Sequence, residues 1–222
     1  MTFTHSEQSD ATSVTVSGIG RATATPDIAR LSIGISVTDP AVADAFGALA
    51  RHSTALTDVL HAHGIRGADL VTTGLSIHPQ TQWVDGGRAE TTGFTASTTF
   101  RIVVRELSAN SSHSPAAVIA DCVSASGDAI RLDSVAFDLE DRTALAELAR
   151  ESAWASAQSK AAQFAALARK NLVDTLEIVE GADQMVPVHG VFAAARADSA
   201  PLAVEHGEIE ETISIRVRWS MA

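Results

Sequence analysis

The stretch Ile28-Ala29-Arg30-Leu31-Ser32-Ile33-Gly34-Ile35-Ser36-Val37-Thr38 decides the class of fold. Leu31, Ile33, Ile35 and Val37 alternate with Arg30, Ser32, Gly34, Ser36 and Thr38. A period of two belongs to a strand with one buried face and one wet face. Upstream, Val14 and Val16 begin a strand that runs through Gly18-Ile19-Gly20, and Pro26-Asp27 punctuates the gap. The two strands are expected to pair as an antiparallel hairpin.

Beyond Thr38 the period changes. Asp39 suits a helix N-cap and Pro40 the first helical position, where a missing N–H costs nothing. Val42, Ala45, Phe46, Leu49, Leu56, Val59 and Leu60 recur at three- and four-residue steps, and Gly64 supplies a left-handed stop. Two alternating runs follow, Leu70–Val84 and Gly93–Val104, around Asp85-Gly86-Gly87, a strong hairpin signal. In the second run Phe94, Ala96, Thr98, Phe100, Ile102 and Val104 share a face. Roughly fourteen residues at ~3.3 Å each is near 45 Å, so this hairpin is expected to overhang its sheet. Trp83 sits near the tip.

Ser114-Pro115 repeats the cap-and-proline signature, opening a helix to Gly127 through Val118, Ile119 and Val123. Leu132–Leu139 reads as a strand with Val135, Phe137 and Leu139 inward. Asp141 opens an alanine-rich helix to about Lys170, its approximate stripe marked by Leu145, Leu148, Ala155, Ala162 and Leu167. Leu176–Val179 and Ile209–Trp219 are strands. Between them, residues 182–207 lack a sustained period and read as a mobile loop or arm. The order is β-β-α-β-β-α-β-α-β-β, with no repeat and no linker between two cores. It predicts one α+β domain over residues 13–222, a largely antiparallel sheet with helices packed on it, preceded by a disordered polar tail over 1–12.

Composition narrows the function. The chain has 222 residues, 45% hydrophobic and 19% charged, and its 16 Lys+Arg against 27 Asp+Glu give a net charge of −11. That surplus argues against a nucleic-acid groove or an anionic membrane surface, which need clustered cations. No run approaches the ~20 apolar residues that span a bilayer, so no membrane insertion is expected. Met1 to Asp10 shows neither a basic nor an apolar signal region, which predicts a cytoplasmic protein. One cysteine, Cys122, excludes an internal disulfide framework and a multi-cysteine zinc site.

Motifs for chemistry are weak. Gly18-Ile19-Gly20-Arg21-Ala22-Thr23 lacks the third glycine of a dinucleotide loop, and Pro26 with a strand follows where a helix is required. The glycines read instead as a bulge or a close backbone approach. His61 and His63 diverge by about 200° on a helix and cannot chelate one ion from one face. No metal or cofactor is expected. Cys122, among Ile119, Ala120 and Val123, reads as a buried inert thiol. Asp138, Glu140 and Asp141 read as capping and dipole compensation, with an acid–base pair as the rival. Trp154 and Phe164 read as core or interface anchors.

Taken in order, several segments are familiar. Val16-Ser17-Gly18-Ile19-Gly20 followed by Pro26-Asp27-Ile28-Ala29-Arg30 resembles the opening of the SIMPL-domain family, typified by periplasmic immunogenic and oxidative-stress defence proteins. Asp69-Leu70-Val71-Thr72-Thr73-Gly74-Leu75-Ser76-Ile77-His78-Pro79 resembles its second block. Thr92-Gly93-Phe94-Thr95-Ala96-Ser97 resembles the third, with phenylalanine in place of tyrosine. Phe137-Asp138-Leu139-Glu140-Asp141, Ala161-Ala162-Gln163-Phe164-Ala165 and Gly207-Glu208-Ile209 are similar to the rest. The resemblance implies an α+β fold, homo-oligomers that include ring-like forms, and no established enzymatic activity or catalytic residues. Family members are often exported and linked to envelope integrity or stress tolerance. This chain is expected to depart in having no signal peptide, since Met1 to Asp10 reads as none, and it places Arg169-Lys170-Asn171 where glycines usually follow the long helix, with Asn171 able to take a left-handed cap.

These readings lead to a non-enzymatic, self-assembling protein with a stress-related or scaffolding role. Trp83, Val84 and Phe192 are its assembly candidates. The alternative is a small-molecule or peptide-binding module with His78 and His189, beside Trp83, as pocket candidates. A hydrolase built on Asp138 and Glu140 ranks third.

Overall fold

A computed structural model describes residues 12–84, 88–181 and 207–222. Among them the elements are β1 (Ser13–Ala24), β2 (Ile28–Asp39), α1 (Val42–Ala62), β3 (Leu70–Val84), β4 (Arg88–Val104), α2 (Pro115–Ser126), β5 (Ile130–Asp138), α3 (Thr143–Leu167), β6 (Leu172–Glu180) and β7 (Ile209–Met221). The α+β class and the element order are as the sequence indicates. The strands, however, form two antiparallel sheets, β1-β7-β6 and β3-β4-β2-β5. The chain divides into two compact units accordingly.

The first correction concerns the opening hairpin. β1 pairs with β7 along its whole length, from Ser13 opposite Ser220 to Ala24 opposite Ile209. β2 pairs with β4 and β5. Pro26-Asp27 does punctuate the chain, but it hands it from one sheet to the other. The Asp27 amide donates to the Asp138 carbonyl (3.1 Å), and the Asp27 carboxylate accepts from the Glu140 amide (2.7 Å). Those bonds tie the segment to the end of β5 and leave no tight turn back to β1.

In the four-stranded unit, Leu31, Ile33, Ile35, Ala96, Phe100 and Ile102 form the buried face of β2 and β4. Leu49, Leu56 and Leu60 of α1 and Val118, Ile119 and Cys122 of α2 close over them. Cys122 is buried as its apolar neighbours indicated, whereas Val123, also expected on the core stripe of α2, is exposed. Asp39 lies further from α1 than a cap should; its carboxylate accepts from the Ala41 amide (3.1 Å), and the helix begins at Val42. Ser114 does cap α2, accepting from the Ala117 amide. At the end of α1, Gly64 (φ +78°) makes the left-handed stop, with the Ile65 amide donating to the Leu60 carbonyl.

The expected overhang is present. β4 pairs with β2 from Phe94 to Val104, whereas β3 and β4 stay paired out to Val84 opposite Arg88. Outward from Gln80 and Gly93 the hairpin therefore extends past β2.

The other unit is α3 laid on β1 and β7. Its buried positions are Leu145, Ala149, Ala153, Ala157, Ala161 and Ala165, a strict four-residue step. This corrects the expected stripe: Leu148 and Leu167 are exposed, as are Ala155 and Ala162. The reason lies opposite, in Gly18 and Gly20. A Cβ at Gly18 would fall 2.7 Å from the Ala157 Cβ and overlap the Ala153 carbonyl oxygen. One at Gly20 would lie 2.8 Å from the Ala153 Cα and overlap Ala149 backbone. Only alanine and glycine let helix and strand meet so closely. α3 ends with the Lys170 amide donating to the Ala165 carbonyl, and Arg169 takes the left-handed position at φ +57°. Asn171, the expected cap, instead exchanges backbone hydrogen bonds with Ala222 (2.8 and 3.0 Å).

Gly20→Ala should therefore destabilise the protein by about 3 kcal/mol or more, since backbone must move to admit the methyl. Gly74→Ala, where an added Cβ meets nothing within 4 Å, should shift urea unfolding little, about 1 kcal/mol or less. Equal midpoints for the two variants would contradict this packing.

Candidate functional site

The helix layer of the four-stranded unit stops short of one sheet edge. α1 packs on β2 and β4, and beyond them lies the edge strand β3. Leu75 and Ile77 stand opposite Thr98 and Ala96, which places them on the helix side, yet Leu75 is 62% exposed. Phe46, half exposed on α1, faces the same space. Phe46, Leu49, Thr57, Thr72, Leu75 and Phe100 line an open groove of about 370 Å³.

Trp83 shares the odd-numbered parity of Leu75 and Ile77 along β3 and is 74% exposed. Val84 ends β3, and its side chain lies outside the described residues. Phe192 and His189 also lie outside them, as does nearly all of the expected arm over 182–207. His78 is exposed opposite Thr95, on the far face of the sheet from the groove. That face is hydroxyl-rich: Ser76 bonds Ser97 (3.0 Å), Thr38 bonds Thr95 (2.8 Å), and the Gln80 amide donates to Thr95 (2.7 Å). The structure does not bring His78 and the groove together.

The acidic trio separates into distinct jobs. Asp138 accepts from Arg30 Nε (3.1 Å) and from the Leu139 amide (2.8 Å). Glu140 pairs with Arg105, which also grips Asp69 through two bonds of 2.9 and 3.2 Å. The two acids, led by Asp69, hold the Arg105 guanidinium well above its ordinary range. Asp141 alone serves the helix start; the Thr143 hydroxyl and amide hold its carboxyl below the usual range. Asp138 and Glu140 are thus ion-pair partners of separate arginines and not the caps expected. Each is turned to its own arginine, whereas an acid–base pair would need both to face one reacting group.

Cys122 is fully buried, and burial, aided by Asp121, pushes its thiol up to about 12. At neutral pH it holds almost no thiolate, the nucleophilic form. Trp154 packs on Trp219, ring centroids 5.6 Å apart, while Phe164 is exposed.

A cluster not anticipated from the sequence joins the end of α1 to the start of α2. His63 Nδ1 lies 3.2 Å from His113 Nδ1, and His63 Nε2 lies 2.8 Å from Asp121 Oδ2. His63 lies 50 positions before His113 and 58 before Asp121, so no short spacing motif could reveal the cluster. Among the described residues no group of three or more His, Cys, Asp or Glu side chains is gathered as a full metal cage requires. No described helix is long and apolar enough to cross a membrane.

The SIMPL family model, described as a protein of unknown function (DUF541), matches residues 14–219, from the start of β1 almost to the end of β7. The chain belongs to the SIMPL family. Nearly all of both sheets falls within the matched span, as do the glycines under α3 and the long hairpin. No curated protein matches the chain.

In this SIMPL chain, Cys122 should resist iodoacetamide at pH 8 in the folded protein and react stoichiometrically in denaturant. Rapid labelling of the folded protein would show the thiol to be accessible and ionised.

Proposed function

We propose that this SIMPL chain is a non-enzymatic protein that self-assembles through the free edge of β3 and its overhanging hairpin, in a scaffolding or stress-related role. One observation carries the assembly part. β3 is a 15-residue edge strand whose helix-side face, Leu75, Ile77 and Trp83, lies open to solvent.

Long apolar edges invite pairing, and proteins usually blunt them with charge, proline or a cover. β3 contains no Lys, Arg, Asp or Glu, and its one proline is Pro79. A second copy is the occupant this edge suits. Two β3 strands pairing antiparallel about a two-fold axis present the same surface to each other. Each would satisfy the other's unpaired backbone groups and cover the apolar residues beside the groove. The stress-related part of the proposal rests on the family resemblance.

The absence of catalysis is proposed on the state of the reactive groups: Asp138 and Glu140 are committed to arginines, and Cys122 is buried. The groove along α1 favours a second reading, in which a small apolar molecule or peptide seats against Phe46 and Leu75. Such a ligand would raise the melting temperature without changing the subunit number.

Trp83→Asp should lower the oligomeric state measured by light scattering at micromolar concentration, with the circular dichroism spectrum unchanged. A wild-type protein that is already monomeric under those conditions would overturn the assembly reading.

A further inference from the structure

The His63–His113–Asp121 cluster has no part in the assembly surface. His63 is the C-cap residue of α1, and its side chain is only 7% exposed. His113 stands in the turn ahead of α2, exposed, with its amide donating to the Ser111 hydroxyl (3.1 Å). That turn is itself held by the Ser114 amide donating to the Ser111 carbonyl (3.1 Å). Both rings are thus placed by backbone that is already hydrogen-bonded.

The tautomer of His63 follows from its partners. Asp121 is a carboxylate acceptor 2.8 Å from His63 Nε2, so the ring hydrogen belongs on Nε2. Nδ1 of His63 then carries a lone pair aimed toward His113 Nδ1, 3.2 Å away. His113 meets it with its own Nδ1–H. The rings meet nearly perpendicular, at 89°, so they do not stack and the two nitrogens form the point of closest interest between them.

The spacing also suits another occupant. Two nitrogens bound to one tetrahedral ion at ~2.0–2.1 Å stand about 3.3–3.4 Å apart. A histidine whose far ring nitrogen donates to a carboxylate is the usual companion of such an ion, because the carboxylate fixes the tautomer and raises the basicity of the ligating nitrogen. Asp121 holds that position toward His63.

We propose that His63 and His113 form a two-histidine site for a zinc-class divalent cation, with Asp121 as the orienting carboxylate. On binding, His113 releases the Nδ1 proton and takes one from water on Nε2, and the ion replaces the hydrogen between the rings. Release at Nδ1 and uptake at Nε2 leave the number of protons on the pair unchanged. Water completes the coordination, which makes the site exchangeable, and imidazole donors select zinc over magnesium or calcium.

Calorimetric titration of the tag-free full chain with zinc chloride tests this. The wild type should bind one zinc ion through this pair, with no matching heat from magnesium. His113→Ala, at an exposed turn, should remove that binding event, and Asp121→Asn should weaken it about 10- to 100-fold. His61→Ala should leave it intact. Zinc should also raise the melting temperature of the wild type and not of His113→Ala. An unchanged zinc isotherm in His113→Ala, or no zinc uptake by the wild type at millimolar concentration, would overturn the proposal and leave a hydrogen-bonded histidine pair only.

Discussion

Where α3 crosses β1, two glycines and a row of alanines bring helix and strand backbones together, and the β1-β7-β6 unit is built on that approach. Gly18 and Gly20 have no room for a Cβ beneath Ala149, Ala153 and Ala157. Val16, Ile213, Ile215, Val217 and Trp219 then pack around the same seam. Bulk at either glycine would lift α3 and expose those residues together. β1 therefore lies beneath α3 and beside β7, while β2 takes β4 and β5 as its partners in the other sheet.

Close seating has a geometric consequence. A helix is ~10–12 Å across with its side chains, and strands lie ~4.7–4.9 Å apart. One helix seated that closely covers about two strands. α3 covers β1 and β7, and Val173, Leu176 and Ile178 of β6 are left exposed. The same limit operates in the four-stranded unit, where α1 lies over β2 and β4 and leaves Leu75 and Ile77 of β3 open. Each sheet thus carries an apolar edge strand that its own helices cover only in part. In β3 that edge continues into a hairpin longer than its sheet, and the proposed self-contact follows from this shortfall in cover.

Much of this was legible in the sequence because periodicity reports local geometry directly. The alternation of Leu31, Ile33, Ile35 and Val37, the Ser114-Pro115 cap and the Gly64 stop each appear where the pattern places them. Pairing partners were less legible. Nothing local in β1 says that its neighbour is β7, almost two hundred residues on, so proximity in sequence suggested β2 instead. The α3 stripe was misread because alanine carries little hydrophobic weight, and the exposed Leu148 and Leu167 drew the stripe toward themselves. For the candidate site, Trp83 could be singled out as an apolar ring without a local partner. Phe46 looked like an ordinary core position and Leu75 like one residue of an alternating run, since the missing cover over β3 is a property of the tertiary fold. His113 and Asp121 join His63 only once α1 and α2 are side by side.

Hydrogen–deuterium exchange along β3, followed as protein concentration is raised from nanomolar to micromolar, tests the central claim most directly. Amides of Leu70–Val84 on the free edge should become slower to exchange as copies associate, while core amides of β2 stay unchanged. Exchange along β3 that is fast and identical at every concentration would mean that no partner copy pairs with this edge.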